Sequence, residues 1–390
     1  MAENLVVVGA GYAGLAAAKR AAHRLRGTGI RVTLVNASDR FVERVRLHEL
    51  AAGHTLRDLP LAGLLAGSGV EPVVATVTGL DPESRTVELD APPYGLPYDV
   101  LVYALGSGAD LDAVPGVREH AHTLADARGA AAVRDALPGA ESVAVVGGGL
   151  TGMEAASEIA EAHPHLRVRL VAGGRIAPGL PERARDRLLR GLSRLRVEVY
   201  EDTAVREVVP GALLLDGDGE LPADVAVWAA GFRVPPLAAE SGLATDGDGR
   251  IRVDPALRSV SHPEVIGAGD AAAARIAGGT SRMACQTALP MGLFAGEAAA
   301  AVLLGREPRP ARVRYLWQNI SLGRHDGYTQ FSRADDSPLP ATLTGRASAA
   351  FKEAVTRGTV RLLRAPHRYP LPAADRLPAT GETPPARAVR

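Results

Sequence analysis

The first patterned stretch of the chain is the apolar run Leu5-Val6-Val7-Val8. An unbroken run of this length predicts a strand buried on both faces of a parallel sheet. Glycines follow it directly, then the alanine-rich segment Leu15 to Leu25, which predicts a helix, and Arg31 to Val35, which predicts a second strand. The same order recurs at Ser142 to Val146, a glycine cluster, a helix to about Ala162 and a strand over Val168 to Val171. Elsewhere the pattern alternates. Thr86 to Leu89 and Asp99 to Tyr103, with Val197 to Tyr200 and Ala212 to Leu215 in the second half, predict small antiparallel strands. Near the end, Phe351, Val355 and Leu362 fall near one face of a helix over Ala347 to Arg364, with Lys352, Arg357, Arg361 and Arg364 elsewhere on it. From Pro366 onward no period survives, which predicts an extended or mobile tail over the last twenty or so residues.

The two glycine clusters are Gly9-Ala10-Gly11-Tyr12-Ala13-Gly14 and Gly147-Gly148-Gly149-Leu150-Thr151-Gly152. Either could be an ordinary tight turn. Between a buried strand and a helix, however, such a cluster makes a phosphate cradle: backbone amides approach a pyrophosphate, and the positive end of the helix faces it. Gly9 and Gly147 lie 138 residues apart, a domain-sized interval that implies two dinucleotide sites in one chain. The expected fold is therefore α/β, with two Rossmann-like dinucleotide-binding domains.

Composition narrows the chemistry. Lys+Arg and Asp+Glu both total 44, so no net field attracts nucleic acid. The only lysines are Lys19 and Lys352, which argues against lysine-imine chemistry, and the one cysteine, Cys285, excludes an intrachain thiol relay. No apolar run approaches the roughly 18–20 residues of a membrane-spanning helix, and Met1-Ala2-Glu3-Asn4 shows no secretory pattern. The expectation is a cytoplasmic protein with peripheral membrane contact at most.

The two motifs, with Val265-Ile266-Gly267-Ala268-Gly269-Asp270 after the second, resemble the two-dinucleotide-binding-domain flavoproteins over about residues 4 to 335. Within them the chain looks most like the type II NADH dehydrogenase branch, which includes the apoptosis-inducing-factor-like oxidoreductases. The resemblance implies an NAD(P)H-binding domain inserted in an FAD-binding domain, with a short C-terminal extension. With boundaries near Val114-Pro115-Gly116 and in the Asp246 to Gly249 turn, the FAD-binding parts are 1–115 and 248–335, the NAD(P)H-binding domain is 116–247, and a C-terminal helix and tail fill 336–390.

The resemblance also implies roles. Gly9, Gly11 and Gly14 would hold the FAD pyrophosphate, and Gly147, Gly149 and Gly152 the nicotinamide dinucleotide. Asn36 stands where the family has an acid for the adenosine ribose, with Asp39 as a substitute. Gly106 and Ser107 pass the cofactor, and Gly269 and Asp270 bind its ribityl or pyrophosphate part, although Asp270 also suits a helix cap. A helix opening near Met283 to Thr287 would point its positive end at the flavin, with Cys285 and Gln286 at the ring. Cys285 suits small-residue packing equally, and Gln286 is the better ligand. Glu154 would orient the nicotinamide or hold a proton, or simply favour a helix N-terminus. Arg44, Arg46 and His48 would contact the cofactor, with His48 delivering protons, although a surface helix would show the same pattern. Val171-Ala172-Gly173-Gly174-Arg175 lacks the acid of NADH-preferring relatives, and Arg175 could take a 2′-phosphate, which leaves NADH and NADPH both open.

Hydride would pass from NAD(P)H to FAD, and electrons then to a quinone-like acceptor. Cys285-Gln286-Thr287-Ala288-Leu289-Pro290 keeps only Gln286 and Ala288 of the Ala-Gln-x-Ala-x-Gln found at the quinone mouth. Other readings are a tailoring oxidoreductase acting on a small aromatic metabolite, a ferredoxin reductase, or a non-catalytic flavin-holding protein. The Ala347 to Arg364 helix, basic and amphipathic, could lie on anionic lipid, but its thin apolar stripe favours docking on the protein's own surface, with the tail closing over the flavin site or joining a homodimer contact.

Overall fold

The computed structural model describes residues 3–371. Asn4–Val8 lies at the centre of a five-stranded parallel sheet ordered Val265–Gly267, Val100–Tyr103, Asn4–Val8, Arg31–Asn36, Val70–Val74. Ser142–Val146 holds the same place in a second, ordered Glu198–Tyr200, Arg167–Val171, Ser142–Val146, Val225–Trp228, Ala121–Thr123. The two sheets repeat each other in detail. Gly9 N–H donates to the Val35 carbonyl at 2.8 Å, and Gly147 N–H to that of Val171 at 2.7 Å. All strands of the second sheet come from residues lying between strands of the first, so one unit is inserted in the other. The chain's two crossings run side by side, with Gly108–Ala109 paired antiparallel to Phe232–Arg233.

Two expectations change. Val100–Tyr103 is a fully buried strand of the first parallel sheet, and Glu198–Tyr200 is the edge strand of the second. Their short apolar runs look alike in either setting, and long-range pairing decided the outcome. Thr86–Leu89 and Ala212–Leu215 do form antiparallel strands.

Helix α1 (Tyr12–Arg24) follows the first glycine cluster, and Leu47–Ala51 forms the short α2. Helix α3 (Leu150–Ala162) follows the second cluster, and α4 is Glu182–Arg194. Helix α5 (Cys285–Leu303) crosses α1 so closely that a Cβ on Gly292 would lie 2.1 Å from the Ala13 carbonyl oxygen. A three-stranded antiparallel sheet (Trp317–Ser321, Gly327–Ser332, Pro338–Thr344) and α6 (Gly345–Arg364) follow α5. Ile320, Leu322 and Tyr328 join the core of the second sheet, while Val360 and Leu363 of α6 join that of the first. The C-terminal part therefore bridges both halves. Helix α6 docks on the protein itself, with Phe351 edge-on to Trp317 at 5.3 Å. Pro366–Arg368 is a short helical turn, and the rest of the expected tail, 372–390, lies outside the described residues. Among the described residues no helix is long and apolar enough to cross a membrane.

Candidate active site

Both cradles divide the work among their glycines in the same way. Gly9 has φ +92°, and a Cβ there would strike the Ala104 carbonyl at 2.4 Å; Gly147 has φ +131° and meets Ala229 in the same manner at 2.6 Å. Gly14 and Gly152 bring the helix against the turn, since a Cβ would sit 1.7 Å and 1.9 Å from the carbonyl oxygens of Gly9 and Gly147. Gly11 and Gly149 face open space, with nothing within 4 Å of an added Cβ. These two are the N-caps of α1 and α3, and no side chain caps either helix. Each cradle thus offers free backbone amides and a positive helix end to a pyrophosphate.

Around the first cradle, Ser107 Oγ donates to Asp270 Oδ2 at 2.7 Å, and the Arg44 guanidinium approaches Ser107 Oγ at 3.5 Å and Asp270 at 3.8 Å. Gly106, at φ +71°, lies beside Arg44. Asp270, in the turn Gly269–Ala271, keeps its Oδ1 buried without a partner. Gln286 Nε2, His48 Nε2 and the Tyr12 hydroxyl are likewise buried and unpartnered. Unpaired buried donors and acceptors are costly, so a polar ligand supplying both would relieve them. FAD fits this cradle and this donor set.

Helix α5 begins at Cys285 without a side-chain cap. The thiol meets solvent at the site but is crowded by protein, and that crowding, with the Asp270 carboxylate, pushes its pKa up to about 11. It is a thiol at neutral pH, not a thiolate nucleophile.

Glu154 lies on the first turns of α3. Its Oε1 accepts from the Ser321 backbone N–H at 3.0 Å and from Lys352 Nζ at 2.5 Å, while Lys352 also donates to Ser321 Oγ at 2.6 Å. His48 Nδ1 stands 4.0 Å from Glu154 Oε2. His48 is buried, and desolvation, then the charges of Lys352 and Arg324, hold its pKa well below 6.5. It is a neutral imidazole.

Three expected site residues have other occupations. Arg46 is buried, with its guanidinium paired to Glu43, Glu49 and Glu353, so it bolts α2 to α6 instead of standing with Arg44. Asn36 Oδ1 accepts from the Ala10 N–H at 2.8 Å and its Nδ2 donates to Ser38, so it braces the glycine turn. Arg175 is held by both oxygens of Glu182 at 2.7 and 2.9 Å. Conversely, Lys352 and Ser321 carried no motif; being one of only two lysines was the single hint for Lys352.

Residues 3–292 match the pyridine nucleotide-disulphide oxidoreductase family. The chain belongs to that family. An NADH dehydrogenase-like protein of Mycobacterium tuberculosis is 32% identical over 321 residues, covering 75% of this chain and 79% of the relative. The demethylphylloquinone reductase of Synechocystis is 28% identical over 341 residues, covering 82% and 84%. The structure of NDH2 from Plasmodium falciparum in complex with NADH shares the fold, with a TM-score of 0.77 at 15% identity over 93% of this chain and 98% of that one. The chain is thus an oxidoreductase with a site for a pyridine nucleotide beside its FAD site. With Cys285 alone, it has no redox-active cysteine pair.

Proposed function

We propose that this protein is an FAD-dependent NAD(P)H oxidoreductase that delivers electrons to a quinone or quinone-like acceptor. One observation carries the reading: the helix of the second cradle places Glu154 where His48 from the first half and Lys352 from α6 converge on it, and Cys285 at the start of α5 lies within the electrostatic reach of both that pair and Asp270 of the first cradle. When bound, FAD supplies hydride acceptance from the nicotinamide and electron transfer onward. The chain's own groups bind and tune. The α1 N-terminus and Gly11 would hold the pyrophosphate, and Asp270, fixed by Ser107, would accept a hydroxyl of the cofactor. The α5 N-terminus with Gln286 would favour negative charge on the ring. Neutral His48 can donate or accept a proton, and the Glu154–Lys352 pair fixes the charge beside it.

The relatives' names supply the acceptor class, a quinone, and leave its identity to experiment. The peripheral-only membrane contact, the cytoplasmic location and the domain limits 1–115, 116–247, 248–335 and 336–390 are part of the same proposal, as is a homodimer contact. Anaerobic mixing of the purified yellow protein with NADH or NADPH should bleach the flavin, and a water-soluble quinone should restore its colour. Flavin that stays oxidised with both nucleotides would sink this function.

A further inference from the structure

Of the 44 Lys and Arg residues, 42 are arginine, and both lysines act on the same helix. Lys352 carries charge from α6 to Glu154. Lys19, on α1 and only 5% exposed, donates to the Leu64 carbonyl and, at 2.8 Å, to that of Arg364, the last residue of α6. Beside it Arg20 Nη1 donates to the carbonyls of Pro366, His367 and Tyr369 at 3.2, 2.9 and 3.1 Å, with its Nε on Glu297 at 2.5 Å.

A cation on the terminal carbonyl suits the negative end of a helix. A buried ammonium needs its acceptors, so the burial of Lys19 and the seating of α6 depend on each other. A lysine does this where an arginine would not, because two carbonyls from different elements converge on one compact head. Lys352 sits twelve residues back, about 18 Å along the axis, and a one-residue slip of the helix would turn its side chain by about 100°. Phe351 against Trp317 and Glu353 on Arg46 hold the turn around Lys352, and the fixed far end keeps the helix from slipping or turning past them, so the two together set where Lys352 points.

We propose that Lys19 is a positioning residue of the redox site, acting through α6 to hold Lys352 on Glu154. The inference rests on the function proposed above. Its test is a cycle of K19M, K352M and the double variant in FAD-loaded protein, read by stopped-flow flavin reduction with NADH or NADPH and by the flavin midpoint potential. K19M should slow reduction about three- to ten-fold and K352M at least as much, and the double variant should match K352M alone. Both single variants should lower the midpoint potential, because the Glu154 charge is left less compensated. Multiplying effects in the double variant, or an unchanged K19M, would overturn the role. Should K19M fail to load FAD, K19R keeps the buried charge while displacing the helix end, and must show the same lack of effect in the K352M background. A wild-type protein that neither nucleotide reduces removes the proposed function and this role with it. Normal reduction with a multiplicative cycle removes the role alone.

Discussion

Lys352 and Glu154 meet at 2.5 Å across 198 residues of sequence, one on α6 and the other on the helix that opens the second cradle. Ser321 touches both through its backbone N–H and its hydroxyl, so the pair is fixed in position as well as in charge.

Glu154→Gln keeps the shape of the side chain and removes its charge, leaving the Lys352 ammonium without its carboxylate. Flavin reduction by NAD(P)H should slow by about ten-fold or more while FAD content is unchanged. Stopped-flow absorbance checks the rate, and an unaltered rate would reduce Glu154 to a helix-terminus carboxylate.

The glycines of the first cradle separate binding from folding. Gly11→Ala puts a methyl group into space that no protein atom occupies, so the variant should fold yet lose FAD affinity by about ten- to a hundred-fold. Gly14→Ala drives its Cβ into the Gly9 carbonyl and should cost about 1–3 kcal/mol of stability. Flavin titration and thermal melts of the two variants should show opposite ranking.

Arg44 and Arg46, two residues apart, should fail differently. Arg44→Met should weaken FAD binding, since Arg44 stands with Ser107 and Asp270. Arg46→Met removes a partner of the buried Glu43 and breaks the links to Glu49 on α2 and Glu353 on α6, and should lower stability by about 1–3 kcal/mol. Chemical denaturation alongside flavin affinity discriminates them; equal loss of FAD affinity at equal stability would restore Arg46 to the cofactor site.

Stability should fall in acid through His48. Burial depresses its folded pKa well below 6.5, so below about pH 6.5 the unfolded chain binds a proton that the folded protein refuses. Stability from this group is intact above that pH and is lost as pH drops toward the folded pKa, by up to about 1.4 kcal/mol per pH unit. His48→Gln should flatten that slope in urea melts between pH 7.5 and 5.

Nucleotide preference should turn on Glu182. Its grip on Arg175 occupies the one cation that the second-cradle motif offers a 2′-phosphate. The bridge is exposed and weak, so Glu182→Gln should lower KM for NADPH about three- to ten-fold relative to NADH, and Arg175→Ala should reverse this. Parallel changes for both nucleotides would remove Arg175 from the recognition of phosphate.

The strand, glycine and helix units were legible in the sequence because each depends on local pattern: a buried run, a turn needing positive φ, and an amphipathic stretch within some thirty residues. Val100–Tyr103 was misjudged because a four-residue apolar run does not say which strands it will lie between. Asp270 and Ser107 came from motif position, and the structure joins them. Lys352 and Ser321 had no such signal, since their role arises from a helix and a strand that reach α3 only in three dimensions. Arg46 was misplaced for the complementary reason: its carboxylate partner Glu353 is 307 residues away, and spacing along the chain says nothing about it.

The interleaving of the two sheets also sets a timetable for synthesis. Every strand of the second sheet lies between Ala121 and Trp228, so its strands can pair once residue 228 has left the ribosome, while Ile320, Leu322 and Tyr328 add to its core later. The first sheet must wait for its edge strand Val265–Gly267, and its cradle for Asp270, which brings together ends of the chain separated by the whole inserted unit. The nascent chain can therefore form its second glycine cradle before its first, while Ser321 and Lys352 reach Glu154 only late in synthesis.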